Sequence, residues 1–395
     1  MHARPSTRVA LVIIAAAVAG GLAPAVLSAQ QADTTRTDVQ AIDLSGSGSQ
    51  GLDALTGEGS APLQITGFGV GDYAYAGRTG ENSFLAGKLA VSLFSEIGES
   101  LWFFGQLTTA LSTEEDGADG GDEVPTEIEI DNLIVNFTPP GATNVNFSFG
   151  KLDAPIGFER DDEPLNFLPT ESFNFEYARP AKVVGLIGRW NVTPAFDLSG
   201  WVANGWNSQV DPNHGKTVAL SAGLRPTGNT SFSLAGMYGP EGDEGDTLDR
   251  YLLTLAYAFQ PTPDFVVGGE ANYGGDRHAL SDETDAVWYG GLLTLFGRFS
   301  THLGGAVRGE VFRDRDGART GVAQTLESIT VTPVYFLGTG RQGIFANVEH
   351  TTFRIPRFQI RAGIRYNHSD EPFFEASDGE STWDIIYLAE LVITF

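Results

Sequence analysis

The sequence predicts an all-β protein, a transmembrane antiparallel β-barrel of about 16 strands with short periplasmic turns and long external loops. The first observation is the ending, "WDIIYLAELVITF", where Trp383, Ile385, Tyr387, Ala389, Leu391, Ile393 and Phe395 share one face while Asp384, Glu390 and Thr394 take the other. A period of two held over thirteen residues outlasts an ordinary strand of about 5–6 residues and suits a wall with lipid on one side and water on the other. The second is that alternating segments follow one another from Leu63 onward with little else between them. The third is that tight connections such as "SEIGES", "TPPGATN" and "QPTPD" interleave with long ones such as "STEEDGADGGDEVPTE" and "HSDEPFFEASDGEST", which is the loop asymmetry of outer-membrane barrels. Soluble barrels also alternate, with the apolar face inward. Aromatics near the ends of the apolar faces, as in interface girdles, favour the membrane.

Taken in order, the strands fall near residues 63–76, 84–95, 100–111, 126–137, 144–152, 181–191, 196–204, 217–225, 230–239, 249–259, 264–274, 286–299, 302–313, 323–336, 358–368 and 383–395. In "YLLTLAYAFQ" the outer set is Tyr251, Leu253, Leu255, Tyr257 and Phe259; in "RFQIRAGIRYN", Phe358, Ile360, Ala362, Ile364 and Tyr366 oppose Arg361 and Arg365. The apolar phase of "TEIEIDNLIVNF" slips between Ile130 and Leu133, which predicts a bulge near Asp131. Residues 338–357 are read as an oversized periplasmic connection; a hairpin there would raise the count to 18 strands.

Ahead of the barrel, Arg4 and Arg8 precede an apolar run ending in "LSAQ", the pattern of a secretory signal peptide over residues 1–29 cut after Ala29. Residues 30–62 are polar and Gly/Ser-rich, a flexible periplasmic leader. The barrel is then residues 63–395. The chain has no cysteine, so neither disulfides nor thiolate metal sites are available. A formal charge of −26 excludes a nucleic-acid partner, which would need basic patches. It does not imply disorder, because 42% of the chain is hydrophobic and arranged periodically.

A barrel of this width leaves a lumen that wall side chains cannot fill. The longest strand-free stretch with a character of its own is "KLDAPIGFERDDEPLNFLPTESFNFEYARPAKVVG", with four prolines, four phenylalanines and mixed charge. Its aromatic content argues against disorder, and a constriction loop near residues 153–180 is expected to fold inward. The residues expected to act there are Arg160, Asp161, Asp162, Glu163, Glu171, Arg179 and Lys182. Alternation alone turns Lys88, Arg308, Glu310, Arg361, Arg365, Glu270 and Glu390 into the lumen, where rows of opposite sign would set a transverse field or pair across strands to hold register.

Five stretches, "GKLDAPIGFERDDEPLNF", "VANGWNSQVDPNHGKTVAL", "RGEVFRDRDGARTG", "RAGIRYNHSDEPFF" and the terminal Phe395, resemble the OmpL-like β-barrel porins and, more distantly, the phosphate-selective porins of Gram-negative outer membranes. The resemblance spans about residues 60–395 and departs at 338–357. It implies a 16-stranded outer-membrane porin passing small hydrophilic solutes, seated among lipid and lipopolysaccharide. It also implies a terminal strand, with Tyr387, Leu391, Ile393 and Phe395, read by the outer-membrane assembly machinery. Trimers are common among such porins, so a homotrimer is expected.

The alternative is a non-conducting structural or adhesive barrel whose acidic external loops bind partners or divalent cations. "EEDGADGGDE" and "DRDGARTG" carry oxygen ligands and glycine but lack the full calcium-loop spacing, so no metal site is assigned. No cofactor is expected. Catalysis is not expected either: His214, His278, His302, His350 and His368 are isolated and no nucleophile motif accompanies them.

Overall fold

A computed structural model of the chain describes residues 63–111, 126–242, 248–281, 284–337, 343–348 and 351–395. The expected signal peptide and leader, and the acidic connection 112–125, lie outside the described residues.

The first half of the chain supplies β1 (Gln64–Ala76), β2 (Asn82–Ile97), β3 (Leu101–Leu111), β4 (Thr126–Phe137), β5 (Val145–Asp153), β6 (Lys182–Thr193), β7 (Phe196–Ala203) and β8 (Thr217–Thr227). The second half begins with β9 (Thr230–Pro240), β10 (Asp249–Thr262), β11 (Phe265–Ser281), β12 (Thr284–Arg298), β13 (Leu303–Asp314) and β14 (Gln324–Leu337). A hairpin of β15 (Gly343–Val348) and β16 (Thr351–Pro356) precedes β17 (Phe358–Ser369). A second, of β18 (Phe374–Ala376) and β19 (Gly379–Ser381), precedes β20 (Trp383–Thr394). Sixteen strands, β1 to β14 with β17 and β20, close into one antiparallel barrel. Residues 343–356 do form a hairpin, but it pairs only with itself and adds nothing to the wall, so the count stays at 16. Its β15 lies beside the turn Glu163–Leu165, and β16 beside β10.

Strand ends agree with the sequence pattern to within a few residues, the main exception being β11, which continues to Ser281. The wall closes where β1 meets β20, with Asp72 opposite Glu390, and the last residue is tied in by Gly67 N–H to Phe395 O at 3.0 Å and Phe395 N–H to Gly67 O at 2.9 Å. The expected bulge is present. Gln106 pairs with Asn132 and Leu107 with Ile130, leaving Asp131 as the extra residue, and the bend turns both Asp131 and Asn132 to the buried side.

Which face is apolar settles the ambiguity that alternation leaves open. Along β14, Ile329, Val331 and Tyr335 are exposed to the outside while Thr330 and Thr332 are fully buried; along β10, Leu253, Leu255 and Phe259 are exposed while Thr254 and Ala256 are buried. Greasy side chains outside and small or polar ones inside is the inverse of a soluble barrel and the arrangement lipid requires.

The apolar core lies inside the barrel, where the segment between β5 and β6 packs on the wall. Ile156, Phe173 and Ala178 join Trp201, Trp288 and Phe312 in one cluster; Phe158, Phe167 and Leu168 join Val266, Phe296, Val334 and Phe336 in another. Each fully buried aromatic or aliphatic side chain contributes about 1.5–3 kcal/mol, so these contacts hold the segment firmly against the strands.

Candidate pore constriction

Residues 154–181 leave the end of β5, turn into the lumen and return to β6. Pro155, Pro164, Pro169 and Pro180 remove ladder donors along the stretch, so it forms short turns, Glu163–Leu165 and Asn174–Ala178, in place of a hairpin. Gly157 has φ +81°, and a Cβ there would sit 2.2 Å from the Arg179 guanidinium, so that corner accepts glycine alone. On the wall, a Cβ at Gly268 would lie 2.1 Å from the Phe158 ring; the missing side chain is the notch into which the loop fits.

One side of the loop is clasped by the wall of β11 to β20. Arg308 pairs with Glu159 and donates to the carbonyls of Thr170 at 2.6 Å and Glu171 at 2.9 Å. Arg361 donates to the carbonyls of Asn166 at 2.8 Å and Glu163 at 3.1 Å while pairing with Glu390. Arg365 reaches the Glu171 carbonyl and lies 3.2 Å from Glu310; Arg179, from the loop itself, meets Glu270 at 3.0 Å and the Glu159 carbonyl at 2.7 Å. Four guanidiniums thus face the carboxylates of Glu159, Glu270, Glu310 and Glu390 with little access to water. The geometry satisfies the loop's free carbonyls, as burial of an irregular segment demands.

The opposite edge meets β2 to β6. The Lys182 ammonium stands among Asp131 at 2.9 Å, Asp153 at 2.5 Å and Asp161 at 3.0 Å, three carboxylates whose oxygens gather within 4.8 Å. Lys88 lies 3.5 Å from Asp161 and 3.6 Å from Glu163, and Gln106 donates to Asp162 at 3.2 Å. Here water reaches the charges: the Asp161 and Glu163 side chains are 21% and 30% exposed, against 0% for Arg308 and 1% for Arg361. Burial opposes ionisation of Asp161, but Lys182 and Lys88 outweigh it and hold the carboxyl below its usual range. Asp162 is pushed up to about 7 by burial, with Asp153 and Asp161 adding repulsion. Glu171 is also pushed up to about 7, by desolvation in the narrowed lumen and by Asp161, Glu159 and Glu163.

All seven residues expected to line an open lumen point inward, but the structure corrects their surroundings. Arg308, Glu310, Arg361, Arg365, Glu270 and Glu390 are buried in the contact between loop and wall, and Lys88 alone of the seven keeps substantial exposure. Arg179 is likewise buried, 2% exposed, and does not front the passage. Arg160, Asp161, Asp162, Glu163 and Glu171 occupy the loop's open edge, and Lys182 stands at the first position of β6. Tyr387, Leu391 and Ile393 face outward from β20, and Phe395 is exposed beside them. The loop's own anchors, Glu159, Asn166, Ser172 and Asn174, were not singled out from sequence; Ser172 and Asn174 are completely buried and bond to Glu159 and Glu310. In "DRDGARTG", the Asp314 carboxylate accepts the N–H groups of Ala318, Arg319 and Thr320 at 2.7–3.0 Å, and Asp316 accepts that of Val287 at 3.0 Å. Those oxygens are taken up by N–H groups of their own loop and of β12. "EEDGADGGDE" lies outside the described residues.

A closed 16-stranded antiparallel barrel with an apolar exterior and one long loop folded into its lumen has the architecture of the outer-membrane porins. Solved barrels of that class superimpose along most of the chain. An anion-selective porin from Comamonas acidovorans is 11% identical with a TM-score of 0.58, covering 85% of this chain and 100% of that one. OmpT of Vibrio cholerae is 10% identical with a TM-score of 0.55, covering 86% and 99%. OmpF of Salmonella typhi, solved with daunomycin, is 12% identical with a TM-score of 0.55, covering 84% and 97%. At these identities the likeness carries the fold. The sequence profile of the family described as "Putative beta-barrel porin-2, OmpL-like" matches residues 104–395, and the chain belongs to that family. No curated protein matches the chain significantly.

Proposed function

We propose that the protein is a passive diffusion porin of the outer membrane, exported through the periplasm after loss of residues 1–29. It would admit small hydrophilic solutes or ions through the water left beside the inturned loop. The observation that carries this reading is the asymmetry of the loop: one side is sealed to the wall, while its opposite edge presents partly exposed charged groups. A water-filled passage lined on one side by such an edge conducts without any moving part or bound cofactor. In the same reading the outward residues of β20, with Phe395, serve the assembly machinery, the apolar exterior meets lipid and lipopolysaccharide, and three copies associate.

A second reading has an observation of its own. The loop touches both β2 to β6 and β11 to β20, so it spans the lumen, as a barrel that serves only structure or adhesion would allow. Single-channel recording of the refolded mature protein separates the two. Deleting residues 160–175 should raise the conductance of a porin severalfold; a folded, heat-modifiable barrel that stays silent with and without the loop would establish the structural reading.

A further inference from the structure

The distribution of buried and exposed charge inside the barrel points to a passage selective for cations, and we infer that small cationic solutes are its preferred traffic. This inference rests on the porin reading. Its first support is the fate of the basic row. Arg308, Arg361 and Arg365 on the wall and Arg179 on the loop would give an anion-attracting lumen if they faced water, but all four are sealed in the contact between loop and wall, spent on backbone carbonyls and on an equal number of glutamates. Buried and matched in this way they contribute little to the field in the passage.

At the open edge the balance is reversed. Among the described residues Asp153, Asp161, Asp162, Glu163 and Glu171 stand there against Lys88, Lys182 and Arg160. Glu171 is held by its carbonyl to Arg308 and Arg365, midway along β13 and β17, so its exposed carboxylate meets water within the barrel and not at the rim. A cleft with an excess of one sign of charge concentrates the opposite ion.

The test is the reversal potential of the mature protein in a planar bilayer across a KCl gradient, compared with the isosteric triple variant D161N/E163Q/E171Q, each checked for heat-modifiable folding. The expected result is a potential of the sign that favours K+, with a permeability ratio of roughly tenfold, the low end of electrostatic focusing, collapsing toward unity in the triple variant. A wild-type channel that conducts but favours Cl−, is unselective, or keeps its selectivity in the triple variant overturns the inference and leaves the porin reading standing. A folded protein that never conducts overturns both.

Discussion

The two walls that grip the loop do so by different physics. On the β11 to β20 side, guanidiniums 0–9% exposed bind carbonyls and glutamates in a dry contact; on the β2 to β6 side, the Lys88 and Lys182 ammoniums, 19% and 15% exposed, meet aspartates in water. Arginine's planar fork presents five donors in fixed directions and is more weakly hydrated than an ammonium, so it can be buried against two carbonyls and a carboxylate at once. The dry side therefore fixes where the loop is, and the wet side keeps its charges within reach of water. Lysine suits that second contact because its ammonium is a compact, strongly hydrated charge.

The sharpest way to break this division is Arg308→Ala. It leaves Glu159 buried without its partner and strips donors from two loop carbonyls, a class of change that costs about 3–5 kcal/mol. A lower urea midpoint together with larger, noisier single-channel steps is expected; an unchanged conductance would show that the loop holds its position without the clasp. Next in size is the response to pH. Because Asp162 and Glu171 titrate near 7 in the folded barrel, above their ordinary range, the native state holds more protons than the unfolded chain between about pH 4 and 7. Stability from these two groups is thus greatest at low pH and falls as pH rises through 7, while the edge gains negative charge. Titrating the reversal potential from pH 8 to pH 5 should weaken cation preference with a midpoint near 7, whereas a flat profile would contradict it. The smallest effect belongs to Lys88→Met. Ion pairs that water reaches are worth about 1 kcal/mol or less, so the unfolding midpoint should move well short of that in Arg308→Ala while cation preference rises; a destabilisation rivalling that of Arg308→Ala would erase the distinction between the walls.

Much of this was legible in the residues. Period-two alternation located every wall strand, and the slip between Ile130 and Leu133 located the bulge that delivers Asp131 to Lys182. The phenylalanines of the loop signalled a packed segment, and Phe158 and Phe167 are indeed in the inner core. What could not be read was which inward charges meet water. Alternation gives the side on which Arg308 lies, but its cover comes from Glu159, 149 residues away. Nothing local to "AVRGEV" encodes that partner. The same limit hid Ser172 and Asn174, ordinary polar residues in a loop until the wall closes over them. Residues 343–356 show it again: read as a connection, with a wall hairpin as the alternative, they form a hairpin outside the wall, which the pattern alone does not distinguish.

That separation in sequence has a consequence for the order of events during assembly. The loop is synthesised well before its dock: Asn166 waits for Arg361, 195 residues later, and Arg361 in turn needs Glu390 from the final strand. Contacts this distant form only after the intervening loops have closed. Until β17 and β20 are in place, the loop is moored only in part, by Arg179 on Glu270 and Glu159 on Arg308, and the carbonyls of Asn166 and Glu163 have yet to meet Arg361. Sealing the wall and completing the loop's dock are therefore one event, and a barrel that stalls a strand short is both open at its seam and half moored at its centre.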